Sequence, residues 1–147
     1  MAPEIYHIPY PYSYRGPLAD RVGYGRLAAE RLFELFRTEI PPEQIAAVVV
    51  EPVTGEGGFM IPPPEFLPRL KEITEQEGIL LVIDEIQTGF GRTGRLFACE
   101  HTGVIPDIMT LGKSLAAGLP LAAVVGRAEV MDAPQVGGLG GTYAGNP

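Results

Sequence analysis

Two runs, IAAVVVE at residues 45–51 and ILLVIDE at residues 79–85, constrain the fold of this chain more than any other feature. Each is short, apolar, rich in branched side chains and closed by a carboxylate, the pattern of a buried strand whose end meets polar surroundings. Between them lies PPPEFLPRLKEITEQEG, which predicts a helix from about Pro64 to Glu77 that closes at Gly78. Strand, helix, strand makes a βαβ unit. Its strands are expected to run parallel, with helices covering both faces.

The flanks extend this pattern without repeats. Upstream, Leu27, Leu32, Leu35 and Phe36 recur at helical spacing, predicting an amphipathic helix over about 20–39 that Pro41 and Pro42 stop. Residues 1–17, dense in proline and tyrosine, read as an ordered loop. Downstream, a short helix near Phe97 to Thr102 leads to a third strand, PDIMTL at 106–111, and a fourth, LAAVVG at 121–126. Only nine residues, 112–120, join those two. A parallel crossover needs about a dozen or more, so the last pair is expected antiparallel. The fold class is α/β, a mixed, mostly parallel sheet with flanking helices. The 147 residues suffice for one domain or part of one, and the turn-rich ending GGTYAGNP reads as a cut through something larger.

Charge and composition remove several function classes. A net charge of −7 disfavours nucleic acid and anionic membrane surfaces as partners. No basic-then-apolar leader and no apolar run of about 18 residues occurs, so a soluble protein is expected. The single cysteine, Cys99, excludes an internal disulfide, and without clustered Cys and His no metal site is expected. A reducing, cytoplasmic setting follows as an expectation.

In open α/β sheets ligands gather at the C-terminal ends of the parallel strands. Glu51, Asp84 and Lys113 all lie at or just past such ends. Glu51 alone could be an acid leaving the sheet for solvent. Asp84, directly after LLVI, is expected to be partly buried and therefore paired. One chemistry to weigh is nucleotide hydrolysis, since Gly112-Lys113-Ser114 ends like a phosphate-binding loop and LLVIDE resembles the strand whose acid holds magnesium. Against it, Asp107 stands where the loop's first glycine must be, and the lysine follows the acid instead of preceding it. A lysine beside a buried acid suits pyridoxal phosphate better. The amine condenses with an aldehyde, and the acid keeps a pyridine nitrogen protonated so that the ring accepts electrons.

Four motifs in order, EPVTGEGGF at 51–59, DEIQTGFGRTG at 84–94, PDIMTLGKSLAAGLP at 106–120 and GGTYAGNP at 140–147, resemble the class III aminotransferases over nearly the whole chain. The resemblance implies a fragment of the large domain of a fold-type-I pyridoxal-phosphate-dependent transferase. Residues 1–147 would be the central part of that cofactor-binding domain, without the family's N-terminal segment and C-terminal small domain. It further implies that Asp84 pairs with the ring nitrogen, Gln87 hydrogen-bonds the ring's phenolic oxygen, and Ile86 packs on one ring face, where the plain alternative is core. Lys113 would form the Schiff base and shuttle the substrate proton. Thr142 would reach the cofactor phosphate of the other subunit of a homodimer with a shared site, although by itself it reads as a turn hydroxyl. Glu56 and Glu51 would line the substrate pocket. Arg92 and Arg95 read as loop or interface charges.

The implied reaction moves an amino group from an ω-amino acid, foremost 4-aminobutyrate, to a 2-oxo acid, with ornithine and acetylornithine as neighbouring donors. An inactive truncated fragment is the other alternative. Thr54 replaces the family's usual Gln, and Leu119 stands where Phe is common; both bear on substrate choice more than on reaction type.

Overall fold

A computed structural model describes residues 4–14 and 23–141. Helix α1, Tyr24–Thr38, is followed by strand β1, Ala47–Val50; helix α2, Phe66–Glu77, by β2, Leu80–Asp84; then come β3, Ile108–Leu111, β4, Ala123–Gly126, and a short α3, Ala128–Met131. Single 3₁₀ turns cover Pro42–Gln44, Ala98–His101 and Lys113–Ala116. The sheet order is β1-β2-β3-β4. The first two pairings are parallel, with Val50 opposite Ile83 and Asp84 opposite Thr110, and the last is antiparallel, with Leu111 opposite Ala123. The mixed, mostly parallel sheet expected from the sequence is the one observed.

Helix α2 ends as the sequence demands. Gly78 takes a left-handed conformation, φ 71°, which lets Ile79 N–H return to the Thr74 carbonyl at 2.8 Å and turn the chain into β2. Helix α1 buries Leu32 and Leu35 as expected, with Phe36 packed against the core, but Leu27 is 51% exposed and the rest of the inward stripe is Tyr24, Gly25, Ala28 and Ala29. Small residues decide this. A Cβ on Gly25 would lie 2.9 Å from the Glu65 and Pro63 side chains, so the glycine and two alanines let α1 settle directly onto α2.

The core lies on one face of the sheet. Val50, Leu81, Ile83, Met109 and Leu111, at alternating positions, pack with the buried stripes of α1 and α2. The opposite face departs from expectation: Val49 is 68% and Val124 56% exposed, and among the described residues the two long helices share the core face. The reason is connectivity. The β1-α2-β2 crossover places α2 on one side, and α1 rests on α2 instead of crossing to the other.

A charged node closes the N-terminal end of β3. Buried Asp107 accepts hydrogen bonds from Leu81 N–H at 2.8 Å, Lys71 Nζ at 3.1 Å and an Arg127 guanidinium N–H at 2.8 Å, joining β2, α2 and the end of β4. Burial pushes its carboxyl up, but these donors outweigh burial and hold it below the ordinary carboxylate range.

Candidate functional site

The parallel strands β1, β2 and β3 end at one edge of the sheet, and the sequence-derived candidates emerge there. Alternation along β2 turns Leu81 and Ile83 into the core and Asp84 toward the opposite face. Asp84 is half-buried and its Oδ1 accepts the Ile86 N–H at 2.9 Å. The pairing expected of a partly buried acid is thus supplied by its own turn, which also fixes the direction of the carboxylate.

Lys113 follows β3 by two residues and opens a 3₁₀ turn. Its φ is 41°, in the left-handed region that a side chain with a Cβ rarely adopts, and such strain is kept only where the surroundings enforce it. Gly112, just before it, sits against Ile86: a Cβ there would lie 3.4 Å from Ile86 Cγ2. The Lys113 side chain is directed so that Nζ donates to Gln87 Oε1. Gln87 and Lys113, 26 residues apart, therefore meet just past the ends of adjacent strands, β2 closing on Asp84.

Glu51 joins this cluster from β1. Its Oε2 accepts the Gly55 N–H, and a Cβ on Gly55 would lie 3.5 Å from both Glu51 Oε2 and Gln87 Cγ. Its backbone carbonyl accepts from the Tyr10 hydroxyl at 3.1 Å. Burial first, and the Glu51 charge second, push ionisation of that phenol up, so Tyr10 acts as a donor. The turn after Glu51 is closed by Thr54, whose Oγ1 accepts the Met60 N–H at 2.9 Å and whose N–H donates to the Met60 carbonyl at 3.1 Å. Glu56 lies in that turn and is exposed. Arg92 reaches Ser114 Oγ at 3.3 Å, while Arg95 and Leu119 are exposed. Thr142 lies outside the described residues.

Two buried carboxylates were not anticipated, Asp107 and Glu85. Glu85 is fully buried and accepts from Cys99 N–H at 2.8 Å, Ala98 N–H at 3.1 Å and the Thr88 hydroxyl. Burial, then the Glu85 charge, pushes the Cys99 thiol up to about 12, which makes it an inert core group. Strand alternation was the available signal: Glu85 continues the inward series Leu81, Ile83, and Asp107 begins the inward series Met109, Leu111.

The arrangement fits pyridoxal phosphate and does not fit a nucleotide loop. A phosphate-wrapping loop would need residues 107–111 as free backbone donors, but 108–111 are strand and Asp107 is locked in its node. For pyridoxal phosphate the donor set is right: at one edge of the sheet lie a directed carboxylate and an amide joined to a primary amine, with Ile86 against Gly112. The chain has two lysines in all, and the other, Lys71, is held by Asp107 and by Glu75 at 3.3 Å. Thr110, in register with Asp84, carries a buried hydroxyl oxygen with no hydrogen-bond partner, a polar atom left over on this side of the sheet.

Comparisons with known proteins show the family. The family model for aminotransferase class-III matches residues 1–147. The chain is 50% identical to the 4-aminobutyrate aminotransferase GabT of Escherichia coli over 147 residues, 100% of this chain and 33% of the relative. It is 56% identical to the 5-aminovalerate aminotransferase DavT of Pseudomonas putida over 113 residues, 77% of this chain and 27% of the relative. The crystal structure of the omega transaminase from Pseudomonas jessenii in complex with PMP superposes with a TM-score of 0.83 at 34% identity, covering 90% of this chain and 30% of that one. The chain spans about a third of the length of the curated relatives that it matches along its whole length.

Proposed function

Since the chain belongs to the class-III aminotransferases, we propose that it is the cofactor-holding centre of a pyridoxal-phosphate enzyme that moves an amino group from an ω-amino acid, foremost 4-aminobutyrate, to a 2-oxo acid. The observation that carries this is the meeting of Lys113 Nζ with Gln87 Oε1 just past neighbouring strand ends, one of them closed by Asp84. The names of the relatives, which act on 4-aminobutyrate and 5-aminovalerate, support a linear ω-amino donor.

When bound, pyridoxal phosphate supplies an aldehyde for the amine and a ring that accepts electrons as the substrate proton leaves. The chain's residues do the rest. Asp84, its carboxylate oriented by the Ile86 N–H, holds a proton on the ring nitrogen and so stabilises the charge that develops. Gln87 offers a hydrogen bond to the ring oxygen, and Ile86 packs on the ring face. Lys113 holds the cofactor and then, as a free amine, takes up and returns the substrate proton. Glu56 at the exposed turn and Glu51 beneath it face the donor's far end. The enzyme is read as a cytoplasmic homodimer in which Thr142 serves the partner's cofactor phosphate; the lone buried thiol and the exposed Val49 and Val124 support that setting.

The test is borohydride reduction of a full-length enzyme containing these residues, loaded with pyridoxal phosphate, followed by peptide mass spectrometry. The cofactor mass is expected on Lys113. Its appearance on Lys71 instead would overturn the assignment.

A further inference from the structure

We propose that Glu85 is a positioning residue that aims Gln87 at the Lys113 amine. Asp84 and Glu85 are adjacent but point to opposite faces of the sheet: Asp84 toward the open edge, Glu85 into the core, where it is fully buried. A buried carboxylate is tolerated only when its oxygens are satisfied, and here every partner is a donor. Two are backbone N–H groups, of Ala98 and Cys99, which cannot reverse their polarity; the third is the Thr88 hydroxyl.

These bonds close the turn that carries the site. The Glu85 carbonyl accepts the Gly89 N–H at 2.8 Å, and a Cβ on Gly89 would lie 2.9 Å from that same oxygen, so glycine is required for the turn to close. The Glu85 carboxylate takes the Thr88 hydroxyl from the same turn. Ile86 and Gln87 are thus held between two attachments to one residue, and the carboxylate pins the whole turn to the segment at 98–99. What this turn presents outward is Ile86 against Gly112 and Gln87 against Lys113.

The role of this geometry in catalysis rests on the aminotransferase activity proposed above; the geometry itself is testable without cofactor. In a full-length enzyme containing these residues, trace acetylation compares the reactivity of Lys113 with that of Lys71, which serves as an internal reference because Asp107 and Glu75 hold it. Thr88→Val, which cuts the turn from the carboxylate, is expected to raise Lys113 labelling relative to Lys71 by roughly 3- to 10-fold, the worth of one hydrogen bond. Thr88→Ser is expected to restore the parent ratio. Glu85→Gln should act in the same direction as Thr88→Val. Glu100→Gln, which loosens only the Phe97 N–H contact at 2.7 Å, should lower thermal stability and leave the ratio unchanged. With pyridoxal phosphate added, Thr88→Val should also weaken its binding by about 10-fold. A labelling ratio in Thr88→Val equal to the parent's would overturn the positioning role. A shifted ratio in an enzyme that takes up no cofactor at Lys113 would instead sink the proposed activity and leave the positioning intact.

Discussion

The two lysines of this chain lie at opposite ends of one sheet and in opposite electrostatic surroundings. At the N-terminal end, Lys71 is 15% exposed and sits between Asp107 and Glu75, both anionic, with Arg127 completing the node. At the C-terminal end, Lys113 is exposed and its partner is a neutral amide oxygen. An ammonium between two carboxylates is committed to structure, because removing it strands buried charge. An amine resting on an amide can exchange that contact for a ligand at the cost of one hydrogen bond. The acids divide the same way: Asp107 spends both oxygens on three donors from separate elements, whereas Asp84 spends Oδ1 on its own turn.

The sharpest way to break this division is to exchange the roles of the lysines. In the full-length enzyme Lys113→Ala is expected to lower turnover by roughly 10⁴-fold or more. Lys71→Met, which keeps the aliphatic stem, should hold turnover within about threefold while costing about 1–3 kcal/mol of stability. Steady-state kinetics and urea denaturation read both. An active Lys113→Ala enzyme would erase the contrast.

The acid at the closed end should matter next most. Asp107→Ala leaves the Leu81 N–H, Lys71 and Arg127 without their shared partner and is expected to cost about 3–5 kcal/mol in urea unfolding. A loss under about 1 kcal/mol would mean that the node is not what braces β2 against β3. At the open end, Asp84→Asn keeps the shape and a hydrogen bond but not the charge. Turnover is expected to fall by about 10²- to 10³-fold, with cofactor affinity changed by less than about 10-fold. Equal losses in both would mean that Asp84 serves binding alone.

How much of this was legible follows from which residues report on what. Strand runs, the Gly78 stop and the nine-residue link to β4 are local signals, and the parallel, parallel, antiparallel order follows from them. The edge past which Asp84 and Lys113 both lie was legible because parallel strands share their C-terminal ends. Leu27 misled because the packing of α1 on α2 is set by Gly25, Ala28 and Ala29, whose smallness matters only once a neighbour is known. The open second face was hidden for the same reason: a strand records that it is apolar on both sides, not which helix covers it. Glu85 and Asp107 were overlooked although their parity with Leu81 and Met109 turns them inward. Apart from the Thr88 hydroxyl, three residues past Glu85, their donors come from residues 13 to 36 positions away, which no local pattern displays.

The smallest effect, and the one that tests the electrostatic half of the comparison, is the dependence of stability on pH. Burial alone would raise the carboxyl of Asp107, whereas the Leu81 N–H, Arg127 and Lys71 lower it, and the donors prevail. A folded value below the unfolded one, about 3.9, means that the unfolded chain binds the proton more readily. The stabilisation is then fully present above that unfolded value and is lost as pH falls through the folded one. The difference in unfolding free energy between the parent and Asp107→Asn should therefore be constant near neutrality and shrink on acidification, by at most about 1.4 kcal/mol per pH unit. Glu75 and Glu129, each 62% exposed, pair with the same cations, Lys71 and Arg127, so the subtraction must be made between enzymes that keep both. Moderate salt should blunt the Arg127 part, since that side chain is half-exposed, and leave the Lys71 part largely in place. A difference that grows as the solution is acidified would reverse the sign: burial would outweigh the three donors, and Asp107 would be a strained acid instead of a brace.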